Sequence, residues 1–354
     1  MGTKQSKPLS WCRFIEEFVL AKNELVATNS EALVGEINET AARLGVDMIA
    51  AADTPALKAL IANKTALDVR CFPSPDASQH AILDDKGAFR ALCEAEGLPI
   101  PRGFVAEDVR LIGDQIESGR LNWPLILKPP AMEGGRGVVK VEKSEIDGAL
   151  ERINYGPIVV EEFVPGIDVG ISVYCEAGEI TASICHTLEE RLYRVLPIPE
   201  LEDAVGGLLK KLNCSGIYNF DARLDGDGRF FLLECNPRFY NKMCLTLLAG
   251  LNLPEFGVSL QQDLASMAAR TAVYTPDAIG YGVLTSGRIP KEASADATFW
   301  ISDPLMLLYE LLRIPVELRS DTSGYGSFLA SRAAALMRAP RAGRRSRRLQ
   351  SIKG

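Results

Sequence analysis

The sequence predicts a mixed α/β (α+β) fold of two or three domains. Three observations carry this. Capped helical segments alternate with short apolar strands early in the chain, and two later apolar runs are joined by the turn Asp225-Gly226-Asp227-Gly228. A length of 354 residues with 47% hydrophobic content also exceeds what one core holds. The net charge is −7, and no segment is both long and free of charge, so no membrane span is expected. The amino terminus lacks the apolar run of a secretory signal. Its Met1-Gly2-Thr3-Lys4-Gln5-Ser6 fits the short M-G-x-x-x-S acylation pattern, which is taken as chance.

A polar lead and Trp11-Cys12-Arg13-Phe14 come first. Ser30 is placed to cap a helix over 31–44, with Glu31 in its first turn and Gly45 just past its end. Residues 46–51 read as a short strand and 54–62 as a helix. Beyond Asp84-Asp85-Lys86-Gly87-Ala88-Phe89 an apolar strand ends in lysine, Trp123-Pro124-Leu125-Ile126-Leu127-Lys128. The glycine-rich Glu133-Gly134-Gly135-Arg136-Gly137 follows, then a strand over 157–160 that runs into Glu161, Glu162, Phe163 and Val164. A hairpin occupies 219–236. Past it, 255–269 patterns as helix, 278–284 as strand and 303–312 as a short helix. Leu305, Leu308, Leu311 and Leu312 form one stripe of that last helix, for core packing first and a homodimer seam second. The basic stretch 338–348 is expected to be a disordered end without dedicated function.

The hairpin is the most informative segment. If Leu224 faces Arg229 across the turn, Asp221 falls opposite Leu232, one step from Glu234, with Asn236 following on that face. Three hard oxygen donors then converge where period-2 alternation predicts core, which is the ligand chemistry of Mg²⁺, with Mn²⁺ as the alternative. Arg238 adds a fixed positive fork, and Arg223 shares a face with Asp221, either to help it or to pair with a ligand carboxylate. Lys128 closes an apolar strand, where an ammonium group calls for an anion. Gly134, Gly135 and Gly137 lack the Cβ that bars close backbone approach to phosphate. No G-x-x-x-x-G-K-[ST] loop occurs. The two histidines, His80 and His186, lack a partner motif and are read as incidental. Eight cysteines without a C-x-x-C pair argue against a zinc or iron–sulfur site and read as small apolar residues in a reducing compartment. Cys175 and Cys185 lie in strand-like runs that leave a meeting between them open.

In order and spacing, the segments from about residue 81 to 254 resemble the ATP-grasp superfamily of carboxylate–amine and carboxylate–thiol ligases, related to the ATP-binding domain of carbamoyl-phosphate synthase and biotin carboxylase. The resemblance implies an ATP-grasp fold with a lid subdomain, preceded by a shortened pre-ATP-grasp α/β domain. It implies Lys86 and Lys128 on phosphates and Gly134, Gly135, Arg136 and Gly137 as the loop over the γ-phosphate. It places Glu161, Glu162, Phe163 and Val164 at the adenine hinge and Asp168 at the ribose, where a glutamate is common. Asp221, Glu234 and Asn236 become Mg²⁺ ligands, while Arg238, Lys128 and Arg223 serve the reaction.

The implied domains are 1–80, 81–285 with a lid over about 120–163, a helical 286–335 and a tail over 336–354. The first strand–helix–strand unit of the usual leading domain is expected to be lost, or the start site misassigned. The expected activity joins a small carboxylate to an amine through an acyl phosphate, with ATP and Mg²⁺, in the cytoplasm and without nucleic acid. A bicarbonate-activating enzyme and a nucleotide binder without turnover are the alternatives. Tyr240-Asn241-Lys242 stands where smaller residues are common, and Lys242 is either a contact for a further anion or a surface lysine.

Overall fold

The computed structural model describes residues 1–23, 30–118, 121–189, 192–240, 243–258 and 273–274. The first unit contains α1 (Glu31–Leu44), β1 (Met48–Ile49), α2 (Thr54–Asn63) and β2 (Arg70–Cys71). The Ser30 side chain caps α1 by accepting from the Leu33 amide, and Gly45 ends it in the left-handed region. β1 and β2 pair in parallel, and Leu33, Ile37 and Ala59 pack over them with Ile49, Leu60 and Val69. Buried Glu36 draws the polar lead onto α1 by accepting from the amides of Lys22 and Asn23.

α3 (Ala77–Asp84) and α4 (Lys86–Ala95) follow, each with an aspartate cap. Next comes a four-stranded antiparallel sheet in the order β3-β6-β4-β5, made of β3 (Gly103–Ala106), β4 (Leu125–Lys128), β5 (Val139–Val141) and β6 (Ile158–Glu162). α5 (Val109–Glu117) and α6 (Ile146–Leu150) cover one face, closing a core of Ile112, Leu125, Leu127, Val141, Ile158 and Val160. This sheet takes in β3, upstream of the expected lid boundary at residue 120.

The second sheet has the order β11-β10-β7-β8-β9-β12. Its strands are β7 (Ile167–Glu176), β8 (Glu179–Glu189), β9 (Leu192–Val195), β10 (Gly216–Leu224), β11 (Phe230–Asn236) and β12 (Val273–Tyr274). α3, α4 and α7 (Pro199–Lys211) seal one face: Leu83, Phe89, Leu201, Val205 and Leu208 pack on Ile171, Val173, Tyr218, Phe220 and Ala222. The other face changes character along its strands. At one end Tyr174, Ile184 and Ile217 meet Phe72, Leu245 and Phe256, contributed in part by α8 (Met243–Leu248) and α9 (Leu253–Val258). At the other end the same face is polar. No helix among the described residues is long and apolar enough to cross a membrane.

The stretch 255–269 is helical only through Val258 among the described residues. Lys242, the strand over 278–284, the helix over 303–312 and the basic end lie outside them.

Candidate active site

The hairpin register differs from the expected one. Leu224 pairs with Phe230, Ala222 with Leu232, and a bulge then brings Glu234 directly opposite Asp221 and Asn236 opposite Asn219. The extra residue is Leu233. Strict alternation from Phe230 and Leu232, which face the core, would send Glu234 and Asn236 into that core. The bulge resets the parity, so that Cys235 continues the core face and the two polar residues turn to the opposite one. An inserted residue in one strand leaves the apolar count unchanged, which is why composition and alternation missed it.

Across the sheet, Glu234, Asp221, Gly170 and His186 form one row over β11, β10, β7 and β8, and Asn236, Asn219, Ser172 and Ile184 form the next. A relay fixes Asp221. Tyr240 Oη donates to Ser172 Oγ at 2.5 Å, Ser172 to Asn219 Oδ1 at 3.0 Å, and Asn219 Nδ2 to Asp221 Oδ1 at 3.1 Å. Asn236 Nδ2 reaches Asp221 Oδ2 at 3.3 Å, while its Oδ1 accepts from Arg238 Nη2 at 2.9 Å. The Asn236 amide therefore bridges Asp221 and Arg238. His186, read as incidental, is buried in the Asp221 row and stacks on Tyr193 at 4.6 Å between centroids. Gly170 makes room for it, since a Cβ there would stand 3.1 Å from the imidazole and 3.0 Å from the Phe220 carbonyl.

Two lysines converge on Glu234 and its neighbour. Lys86 Nζ lies 3.1 Å from Glu234 Oε2 and donates to the Met132 carbonyl at 2.9 Å. Lys128 Nζ donates to the carbonyl of Leu233, the bulge residue, at 3.0 Å. Burial works to raise the Glu234 carboxyl, but the ammonium groups of Lys86 and Lys128 outweigh it and hold the group below its ordinary range.

The anion that meets Lys128 in this structure is Glu161, at 2.7 Å. Glu161 is 4% exposed, also lies 3.4 Å from Arg90 Nη1, and its backbone is paired with Gly103 and Ile126 inside the four-stranded sheet. The side chain is held inward because two cations compensate it. Glu162 turns the other way and accepts from the Asn122 amide. The Glu162 and Phe163 amides donate to the Arg102 and Pro124 carbonyls.

Arg223 uses three guanidinium nitrogens on one segment. Nε donates to the Val164 carbonyl, Nη1 to Asp168 and Nη2 to the Gly166 carbonyl, at 3.1, 2.7 and 2.7 Å. It clasps the segment that leaves the four-stranded sheet. Its guanidinium and the Lys140 ammonium lie over the Phe163 ring, 5.1 and 4.0 Å from the centroid. The glycine-rich loop joins β4 to β5 with Gly134, Gly135 and Gly137 at φ 66, 72 and 74°. Its Glu133 accepts from the Thr54 hydroxyl and lies 3.4 Å from Arg238 Nη2.

The chain is similar to known proteins in sequence and in fold. Residues 154–279 match a family model described as ATP-grasp in the biosynthetic pathway with Ter operon. The chain is 27% identical over 214 residues to a D-aspartate ligase of Enterococcus faecium, covering 52% of this chain and 51% of the relative. It is 27% identical over 230 residues to the carbamoyl phosphate synthase large chain of Deinococcus deserti, covering 58% of this chain and 21% of the relative. The fold matches a biotin carboxylase structure from Campylobacter jejuni with a TM-score of 0.56 at 15% identity, over 69% of this chain and 62% of that one. This chain has the ATP-grasp fold.

The chain spans about half the length of the ligase and a fifth of the synthase. In the ATP-grasp frame, the start of α4, the hairpin and the lysine strand bring Lys86, Lys128, Asp221, Glu234 and Asn236 together, with Arg238 beside them. Phe163, Val164, Asp168 and Arg223 form a second group at the base of the four-stranded sheet. Sequence reasoning missed Thr54, Ser172, Asn219 and Glu133. Ser172 and Asn219 carried a usable signal, being polar residues inside apolar strand runs, whereas Thr54 and Glu133 meet across 79 residues of chain.

Proposed function

We propose that this chain is a Mg²⁺- and ATP-dependent carboxylate–amine ligase. The observation that carries the reading is the opposition of Asp221 and Glu234 across one rung of the bulged hairpin, with Lys86 on Glu234 and Lys128 on the adjoining carbonyl. Two hard carboxylates beside buried ammonium groups suit a triphosphate with its divalent ion. The donor set fits Mg²⁺, which takes one or two carboxylates and completes its shell with phosphate oxygens and water. Asp221 and Glu234 would hold the ion, which when bound neutralises charge developing on the phosphates.

The chain's own groups supply orientation. Lys86 and Lys128 would bind phosphate oxygens, and Gly134, Gly135 and Gly137, with Arg136 among them, would offer backbone N–H groups above them. Phe163 and Val164 would wall the base, and Asp168, fixed by Arg223, would face the ribose hydroxyls. In the first step an oxygen of the acid bonds to the γ-phosphorus as the bond to the bridging oxygen of ADP breaks. In the second the amine displaces inorganic phosphate from the acyl phosphate and loses a proton. Arg238 would orient the acid.

The name of the Enterococcus relative supports amine–carboxylate joining. The synthase likeness favours a second reading, activation of bicarbonate. One assay separates them: ADP release with Mg·ATP against a panel of carboxylic and amino acids, with Glu234→Ala as the blank. A ligase requires an acid and an amine together, whereas a bicarbonate enzyme releases ADP with bicarbonate alone. Loss of one fixed charge at the reacting phosphates should lower the rate roughly 100-fold or more. Glu234→Ala turning over at the parent rate would refute the site.

A further inference from the structure

The glycine-rich loop is held at its root by two of the site cations. Met132 gives its carbonyl to Lys86 Nζ at 2.9 Å, and the next residue, Glu133, places Oε1 3.4 Å from Arg238 Nη2. The Thr54 hydroxyl, buried at the start of α2, donates to the same Glu133 oxygen. Two distant segments of the chain, those of Thr54 and Arg238, therefore converge on one loop carboxylate.

That carboxylate is a poor match for its guanidinium. Charge-assisted N–H···O bonds of this kind run about 2.7–2.9 Å and favour two parallel contacts. Glu133 offers one contact at 3.4 Å, with its side chain 41% exposed against 12% for Arg238. The Arg238 Nε is buried with no hydrogen-bond partner. Nε and Nη2 together form the side-on fork that a carboxylate meets with both oxygens. A free carboxylate at this position would satisfy the donor that Glu133 leaves over, and leaving a buried donor unmade is costly.

We infer that Glu133 stands in for the carboxylate of the acid substrate, so that Arg238 and the Thr54 hydroxyl bind that carboxylate and its arrival releases the root of the glycine-rich loop. The identity of the ligand as a substrate rests on the ligase reading above; the displacement itself requires no ATP. Acid binding and loop release are then one event, and the loop becomes available to the nucleotide only when an acid is seated. The same arrangement makes Glu133 a specificity device: an uncharged analogue of the acid lacks the charge to compete with it.

Arg136 provides the readout, because it is exposed in the loop and is a trypsin site. The full chain is digested briefly with sodium malonate as the probe and sodium chloride at matched ionic strength as the blank, and the fragment ending at Arg136 is followed by mass spectrometry. Malonate should accelerate that cleavage at least about threefold, the scale of a partly exposed ion pair. Glu133→Gln should be cut at the faster rate without malonate and should not respond to it, and Thr54→Val should fall between. Malonate without effect on the parent chain, or Glu133→Gln behaving as the parent does, would overturn the inference. Once an acid is found by ADP release, Glu133→Gln should also lower its KM about threefold, and a raised KM would count against the displacement. Digestion uses neither nucleotide nor amine, so failure of the ligase assay and failure of this one are separate results.

Discussion

Glu161 stays in the interior because Lys128 and Arg90 lie against its two oxygens, at 2.7 and 3.4 Å. All three side chains are 5–6% exposed, so water compensates none of them. Removing one charge from such a group leaves its partners unpaired, and that loss exceeds what the pair contributes over an apolar substitute. Glu161→Gln should therefore cost about 3 kcal/mol in urea unfolding. A change below about 1 kcal/mol would mean that the Arg90 and Lys128 charges find other partners. The lysine also loses what aims it. In Glu161→Gln the Lys128 ammonium should lose its charged partner and keep neutral acceptors such as the Leu233 carbonyl, and KM for ATP should rise.

At the scale of one element, the bulge in the β10–β11 hairpin decides whether there is a site at all. It lets Leu232 and Cys235 both face the core while Glu234 and Asn236 face Asp221. Inserting one alanine after Leu233 shifts the parity again and turns Glu234 and Asn236 toward the core, so the variant should lose Mg²⁺-dependent ATP binding and fall in stability by several kcal/mol, on the order of 3 or more. Leu233→Val should do neither, because Lys128 bonds the backbone carbonyl and not the side chain. Calorimetric titration with Mg·ATP and a urea midpoint check both variants. An insertion variant that still binds would show that the strand absorbs the added residue in a wider bulge.

Over the whole molecule, the cysteines report how the cores are sealed. Cys93, Cys175, Cys185, Cys214 and Cys235 are buried free thiols, while Cys12 and Cys71 are partly exposed. Cys175 and Cys185 do not meet: their strand partners are Ile180 and Ile171. Burial pushes the Cys93 thiol up to about 12 and Cys185 to about 11, so little thiolate exists there at neutral pH. With a thiol reagent at pH 7.5, Cys12 and Cys71 should label first and the five buried thiols only on unfolding, by at least about 100-fold in rate. Rapid labelling of Cys235 in the folded chain would show that the hairpin opens far more easily than its core implies.

Much of this was legible in the residues themselves. Ser30, Gly45 and the intervening pattern specify α1 to the residue, because caps act within one turn. The ordered set of Lys86, Lys128, the glycines and the hairpin acids pointed to the ATP-grasp fold, because each lies within its own element and their spacing is local information. What joins elements was not legible. The pairing of Glu161 with Lys128, the clasp of Arg223 on residues 164–168, and the convergence of Thr54, Glu133 and Arg238 each need two chain segments brought within 4 Å by packing. A charged side chain takes whichever compensating partner the folded cores place beside it, and alternation along a strand says only which face it leaves from. The sequence by itself thus determined the elements and the chemistry they carry, and the tertiary structure alone decided which charges neutralise one another and which remain for a ligand.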